Sequence, residues 1–299
     1  MKRTPPDILT IDVEEWFHGH NYLEHVPPGS WEIQDRRVEA NTERCLELLA
    51  RHAVTGTFFV LGWTAERHPD IVRRIAAAGH EIACHSMGHP IVFRLTPQEF
   101  RDDLKRCREV LAAAGVDNVA GYRAPSFTIT PPVHDYLHIL REEGFTYDCS
   151  LFPVHHPRYG QPASPRHPFL LAPPDEDPCP ERDPLLVLPM TTARILGVNV
   201  PFAGGGYMRL LPGWAYGMLR RIALRQGQSV VTYLHPWELD DHKPVTTQSK
   251  AMRWRSQSGQ ETVMEKLDGV LAQGSFRTMG DYAAGLRVDG LRSMALPLV

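Results

Sequence analysis

The stretch Thr10–His20, TIDVEEWFHGH, packs three carboxylates, Asp12, Glu14 and Glu15, into four residues directly after an apolar run. Carboxylates this close raise one another's proton affinity unless a positive group sits among them. Asp12 and Glu14 are two apart, so on a strand they face one side while Val13 faces the other. The segment CHSMGH supplies His85 and His89, four apart, a spacing shared by many two-histidine metal sites. Two histidines and one carboxylate are a common ligand set for a catalytic divalent ion that keeps a position open for water. Taken alone, a D-x-E pair is more often a solvated loop start, and a lone H-x-x-x-H more often coincidence. Shared position raises both. Arg123 in GYRAPSF, Asp148 in FTYDCSLF and His235 in YLHPWELD also come after apolar runs.

The elements that must carry these residues alternate. Strands are expected at 8–13, 56–62, 81–86, 119–125, 145–152, 185–190 and 229–235. Helical spacing covers 36–52, 69–80, 96–115 and 131–145; Thr96 with Glu99 forms a capping box, and Gly79 and Gly115 are stops. This β-α rhythm implies parallel strands wrapped by helices, in a (β/α) barrel or its doubly wound rival. No glycine-rich phosphate loop comes after the first strand, which favours the barrel. Barrel active sites collect at the C-terminal ends of strands, and five strand ends here carry Asp12 and Glu14, His85, Arg123, Asp148 and His235. Two stretches break the rhythm and read as long loops: the proline-rich 153–184, and 197–212 with its three consecutive glycines.

Composition narrows the class. The 299 residues are 42% hydrophobic with a formal net charge of -3, enough for a sizeable core and without the basic excess of a nucleic-acid binder. No apolar run is long enough for a membrane span, and no signal-peptide pattern opens the chain. Five cysteines, an odd number without a CxxC pair, argue for reduced, buried thiols and a cytoplasmic protein. His18, His20, His155, His156 and His167 take the default of surface or loop histidines.

The motifs TIDVEEWF, HSMGH, YRAPSF, YDCSLFP, GGGYMRLLP and YLHPWE, spread over residues 10 to about 240, resemble the polysaccharide deacetylase family with the NodB homology domain, carbohydrate esterase family 4. GGGYMRLLP and YLHPWE are similar to the subgroup found beside PEP-CTERM/exosortase exopolysaccharide loci. The resemblance implies a distorted (β/α)7-type barrel forming a single domain over 1–299, with a subgroup extension at about 241–299. It implies a divalent metal, zinc or else cobalt, nickel or manganese. Asp12 resembles the general base, Arg123 the arginine that holds it, His235 the general acid, and His85 and His89 the metal-binding histidines. Family members often have a metal-binding aspartate at the position of Val13; here the acidic residue comes one later, which makes Glu14 the expected third ligand. Asp148 either orients the catalytic histidine or caps a loop. Trp16, Phe127, Tyr207 and Trp237 are the expected sugar-contacting aromatics. The implied reaction is removal of N-acetyl groups from amino sugars of a polysaccharide or its precursor. The alternatives are hydrolysis of a small cyclic amide, as in allantoinase-like relatives, and non-catalytic carbohydrate binding.

Overall fold

The computed structural model describes residues 5–156, 159–242, 254, 257–286 and 290–296. Its strands in chain order are β1 (Asp7–Val13), β2 (Thr57–Val60), β3 (Glu81–Cys84), β4 (Gly121–Tyr122), β5 (Tyr147–Asp148), β6 (Phe169–Leu171), β7 (Leu186–Val187), β8 (Thr192–Ile195), β9 (Val198–Pro201), β10 (Val230–Leu234), β11 (Phe276–Arg277) and β12 (Ser293–Met294). The order β10-β1-β2-β3-β4-β5-β7 is parallel throughout, and these seven strands are the seven expected from the sequence. β6 adds to β7 antiparallel, and β12 pairs with β6. The fold is a distorted (β/α)7-type barrel.

The barrel seam lies between β7 and β10, and among the described residues no ladder joins them. A side chain bridges the gap instead. Thr191 Oγ1 donates to Ser229 O at 2.9 Å and accepts from the Val231 N–H at 2.8 Å. Ala203 and Gly204 also lie against Tyr233, whose N–H donates to Ala203 O at 2.8 Å.

β1 shows how the barrel sorts its residues. Leu9, Ile11 and Val13 join the core between strands and helices, while Ile8 joins the barrel interior. Thr10 and Asp12 share the parity of Ile8, and both meet Arg123 inside. The helix Val38–Arg51 buries Cys45, Leu46, Leu48 and Leu49, and Pro69–Ala77 buries Ile71, Val72 and Ile75. In Pro97–Ala113, Thr96 and Glu99 make the expected capping box. The 131–145 helix is shorter than its pattern: Pro131–Val133 is a 3-10 turn and Tyr136–Glu142 the helix, because paired prolines suit only a first turn.

The two expected loops both contain structure. β6 lies within 153–184, and 197–212 holds β9 and the short helix Gly205–Leu210. Of the extension at 241–299, residues 243–253, 255–256, 287–289 and 297–299 lie outside the described residues, as does the chain's basic start at 1–4. The rest completes the sheet: β11 pairs with the first two residues of β1. All five cysteines are free and buried.

Candidate active site

A cavity of about 530 Å³ opens at the C-terminal ends of the strands. Asp12, Glu14, His85, His89, Phe127, Tyr207, His235 and Trp237 line it, all expected from the sequence. Arg123 lies beneath it, fully buried. Its Nη1 donates to Asp12 Oδ1 at 2.6 Å and to Thr10 Oγ1 at 2.9 Å, and its guanidinium stacks 4.1 Å from the Phe59 ring centroid. Burial works against the Arg123 charge, but Asp12 outweighs it and holds the group protonated. The three carboxylates of the opening motif therefore have three separate partners. Asp12 has Arg123, Glu14 has histidines, and Glu15 Oε1 accepts from the N–H groups of Arg37 and Val38, capping the helix that starts there.

Glu14, His85 and His89 offer one ligand atom each within 4.8 Å of one another. Glu14 Oε2 lies 2.8 Å from His89 Nε2 and 3.8 Å from His85 Nε2. Although buried, Glu14 Oε2 has no hydrogen-bond partner of acceptable geometry. The Arg123 carbonyl lies 2.8 Å from His85 Nδ1. A carbonyl can only accept, so Nδ1 carries the proton and Nε2 turns a lone pair to the cavity. Burial pushes His85 down to about 4 and keeps it neutral. Burial would raise Glu14, but the His89 ring beside it and the charge of His235 hold it well below the usual carboxylate range. A carboxylate whose buried oxygen lacks a donor, beside a neutral imidazole of fixed tautomer and a second histidine, fits a divalent ion.

The histidine loop is held from outside. Ser86 and His89 both have positive φ, 65° and 52°, a conformation side chains resist. Asp103, from the helix Pro97–Ala113, accepts from the Met87 N–H with both oxygens at 3.1 and 3.0 Å. Ser86 Oγ lies 2.8 Å from Tyr122 Oη.

His235 stands on the far wall. Its Nε2 is 3.6 Å from Glu14 Oε1, and its ring stacks on Trp237 at 5.0 Å. Its Nδ1 is 3.2 Å from Glu238 Oε2, which also accepts from the His235 N–H at 3.1 Å. Arg209 Nε donates to Glu238 Oε1 at 3.2 Å. Burial would lower His235, but Glu238 and Glu14 raise it to about 9, so the ring is protonated at neutral pH.

Glu238 takes the position that sequence reasoning offered to Asp148. The Asp148 carboxylate accepts from Ser150 Oγ at 2.5 Å and Ser150 N at 3.0 Å, and Ser150 Oγ accepts from the Ala124 N–H at 2.8 Å. Asp148 thus braces the loop after Arg123, and burial raises it to about 6. Glu238 was legible after all: H-P-W-E, with proline first in a turn and glutamate third, is a cap signature.

Trp16 also departs from expectation. The 3-10 turn Trp16–His18 carries its ring away from the cavity, into a cluster with Phe17 and Tyr22, and its ring N–H donates to Asp35 O at 3.1 Å. His18 is no surface residue either. It is buried between Trp31 and Trp63, its Nδ1 accepts from the Glu15 N–H at 3.0 Å, and its ring lies parallel to that of His89. His20 and His156 line the cavity, while His155 and His167 are exposed as expected.

Residues 31–147 match the polysaccharide deacetylase family model. Over those residues the chain is similar to polysaccharide deacetylase domains. Residues 149–284 match a second model, a domain of unknown function, DUF3473. The deacetylase match takes in His85, His89 and Arg123 and the second match takes in His235, while Asp12 and Glu14 precede both. The chain is 40% identical over 96 residues to a peptidoglycan-N-acetylglucosamine deacetylase of Bacillus cereus, covering 32% of each chain. It is 41% identical over 102 residues to a chitooligosaccharide deacetylase of Rhizobium leguminosarum bv. trifolii, covering 31% of this chain and 47% of that one. The chain thus spans a third to a half of the length of these curated relatives. Two solved structures share its fold over nearly their whole length. One is a candidate polysaccharide deacetylase from Mycobacterium smegmatis (TM-score 0.65, 24% identity, 100% of this chain and 97% of that one). The other is a family 4 carbohydrate esterase from Streptomyces lividans (TM-score 0.50, 14% identity, 98% of each).

Proposed function

We propose that this chain is a metal-dependent N-deacetylase acting on amino sugars of a polysaccharide or its biosynthetic intermediate, in bacterial exopolysaccharide synthesis. One observation carries the reading: a carboxylate held by a buried arginine, a Glu-His-His ligand set and a histidine paired with a buried glutamate converge on one cavity. The names of the relatives, which include chitooligosaccharide and peptidoglycan deacetylases, supply the substrate class. The resemblance of GGGYMRLLP and YLHPWE supplies the exopolysaccharide context, and the five free cysteines suit a cytoplasmic setting.

Glu14, His85 and His89 would hold the ion, and zinc suits their nitrogen and oxygen donors. When bound there, a divalent ion supplies an acidified water and polarises an acyl oxygen. Asp12, aimed by Arg123, takes the proton of the attacking water. His235 gives its proton to the departing sugar amine, which would otherwise leave poorly. Glu238 orients that imidazole through Nδ1, and Arg209 holds Glu238 in turn. Phe127, Tyr207 and Trp237 offer rings to the sugar's C–H faces. The products are acetate and the free amine.

Acetate release from N-acetylglucosamine oligomers tests this directly. Asp12→Asn should abolish most turnover, and His235→Ala should lower it by roughly 10²–10⁴-fold. Wild-type turnover retained in Asp12→Asn would remove Asp12 as the base.

A further inference from the structure

We infer that the outer face of the helix Gly213–Arg225 docks this protein on an anionic lipid bilayer, beside the mouth of its cavity. The first observation is one of charge. Residues 184–237 contain no aspartate, glutamate or lysine, but five arginines; the chain's average acidity would put about six carboxylates in a stretch of this length. Two of the arginines are used internally: Arg209 on Glu238, and Arg220 on Asp7. Arg194, Arg221 and Arg225 are exposed, and among the described residues none of them is in an ion pair.

The second observation is where the exposed apolar residues fall. Trp214 is 72% exposed, Leu210 52% and Met218 39%. Trp214, Met218, Arg221 and Arg225 recur at intervals of four, three and four, which sets them on one helical face. The opposite face buries Ala215, Tyr216, Leu219 and Ala223. The exposed stripe is therefore apolar at its N-terminal end and cationic at its C-terminal end. The β8–β9 hairpin packs alongside, tied where Gln226 bonds the Arg194 backbone at 3.0 and 2.7 Å, and its turn exposes Leu196 and Val198.

This combination matches a bilayer surface. Tryptophan and aliphatic side chains insert at the headgroup level, while arginines gain about 1 kcal/mol each near anionic lipid. The contact proposed is with the bilayer surface; among the described residues no helix is long and apolar enough to cross a membrane. Leu210 belongs both to the exposed group and to the cavity lining, so docking would set the cavity mouth against the lipid surface. The surface is distinct from the proposed chemistry and stands or falls without it.

The test is co-sedimentation of the full chain with vesicles of phosphatidylglycerol and phosphatidylcholine in equal parts, against phosphatidylcholine alone. Binding should need the anionic lipid and weaken with salt. Arg221→Gln with Arg225→Gln should weaken it about 30-fold, roughly fivefold per arginine. Trp214→Ala with Met218→Ser should also weaken it, and both pairs should leave acetate release from soluble oligomers and the thermal midpoint unchanged. Absence of binding at low salt, or binding that both pairs leave intact, would overturn the inference. So would a Trp214 variant that slows soluble-oligomer turnover without affecting vesicle binding, which would make the face a sugar track.

Discussion

Glu238 Oε2 lies 3.2 Å from His235 Nδ1 and 3.1 Å from the His235 backbone nitrogen, so one carboxylate fixes both the ring and the chain that carries it. The Gly205 backbone packs directly on that carboxylate: a Cβ there would lie 1.6 Å from Oε2. The glycines of GGGYMRLLP and the glutamate of YLHPWE are parts of one device.

Glu238→Gln should keep the fold and the KM while lowering kcat by roughly 10- to 100-fold, the usual cost of losing a supporting contact. Gly205→Ala should reproduce that loss, since any added methyl displaces the carboxylate. Steady-state kinetics on a soluble N-acetylglucosamine oligomer check both. Full activity in Gly205→Ala would separate Glu238 from the reaction.

Arg123→Met leaves Asp12 buried without its cation. Removing one partner of a buried pair costs about 3–5 kcal/mol, far more than the pair contributes intact. Urea denaturation should show that loss together with loss of turnover. A variant within about 1 kcal/mol of wild type would contradict the buried pairing.

Asp103 does not line the cavity, yet it carries the backbone of the histidine loop. Asp103→Ala should weaken metal affinity by roughly 10–100-fold, read by competition with a chromogenic chelator. Unchanged affinity would mean that the positive-φ loop holds its shape unaided.

Asp240 ties the His235 turn to the helix Val38–Arg51, through Arg37 at 2.5 Å and Asn41 at 2.8 Å. Burial opposes ionisation of Asp240, but Arg37, Asn41 and the His242 N–H together lower it to about 2. Its folded value is thus depressed below the unfolded one near 3.8. The stabilisation is present above pH 4 and fades as pH falls through about 2, and after screening it is worth roughly 1 kcal/mol. Asp240→Asn should be less stable at pH 7 and close to wild type near pH 2. A gap that persists in acid would point to lost packing instead.

Much of this site was legible because barrel chemistry gathers at strand ends. Runs such as ILTIDV and SVVTYLH mark strands by their β-branched residues, and the residues at their C-terminal ends form the cavity wall. Parity along β1 correctly paired Asp12 with the interior. The misses came where the chain leaves the strand. Trp16 lies three residues beyond β1, but the turn there rotates its ring outward, which strand parity cannot anticipate. His18 lies in the same turn, and its burial depends on Trp31 and Trp63 arriving from other elements. Asp148 was open to two roles from the sequence, and Ser150, two residues on, satisfies it locally, which agrees with the loop cap. The short helix at Gly205–Leu210 was hidden by its glycines, which read as a loop but are there for close packing on Tyr233 and Glu238.

The central claim is that Glu14, His85 and His89 form a metal centre that the reaction needs. Elemental analysis of the purified chain after zinc loading and dialysis, with acetate release measured on the same samples, tests it most directly. About one ion per chain is expected in the wild type and in Asp12→Asn, and little in His85→Ala or Glu14→Gln. Acetate release should stop with chelator and return with zinc. A folded wild type that binds no ion, or a His85→Ala variant that keeps it, would contradict the account.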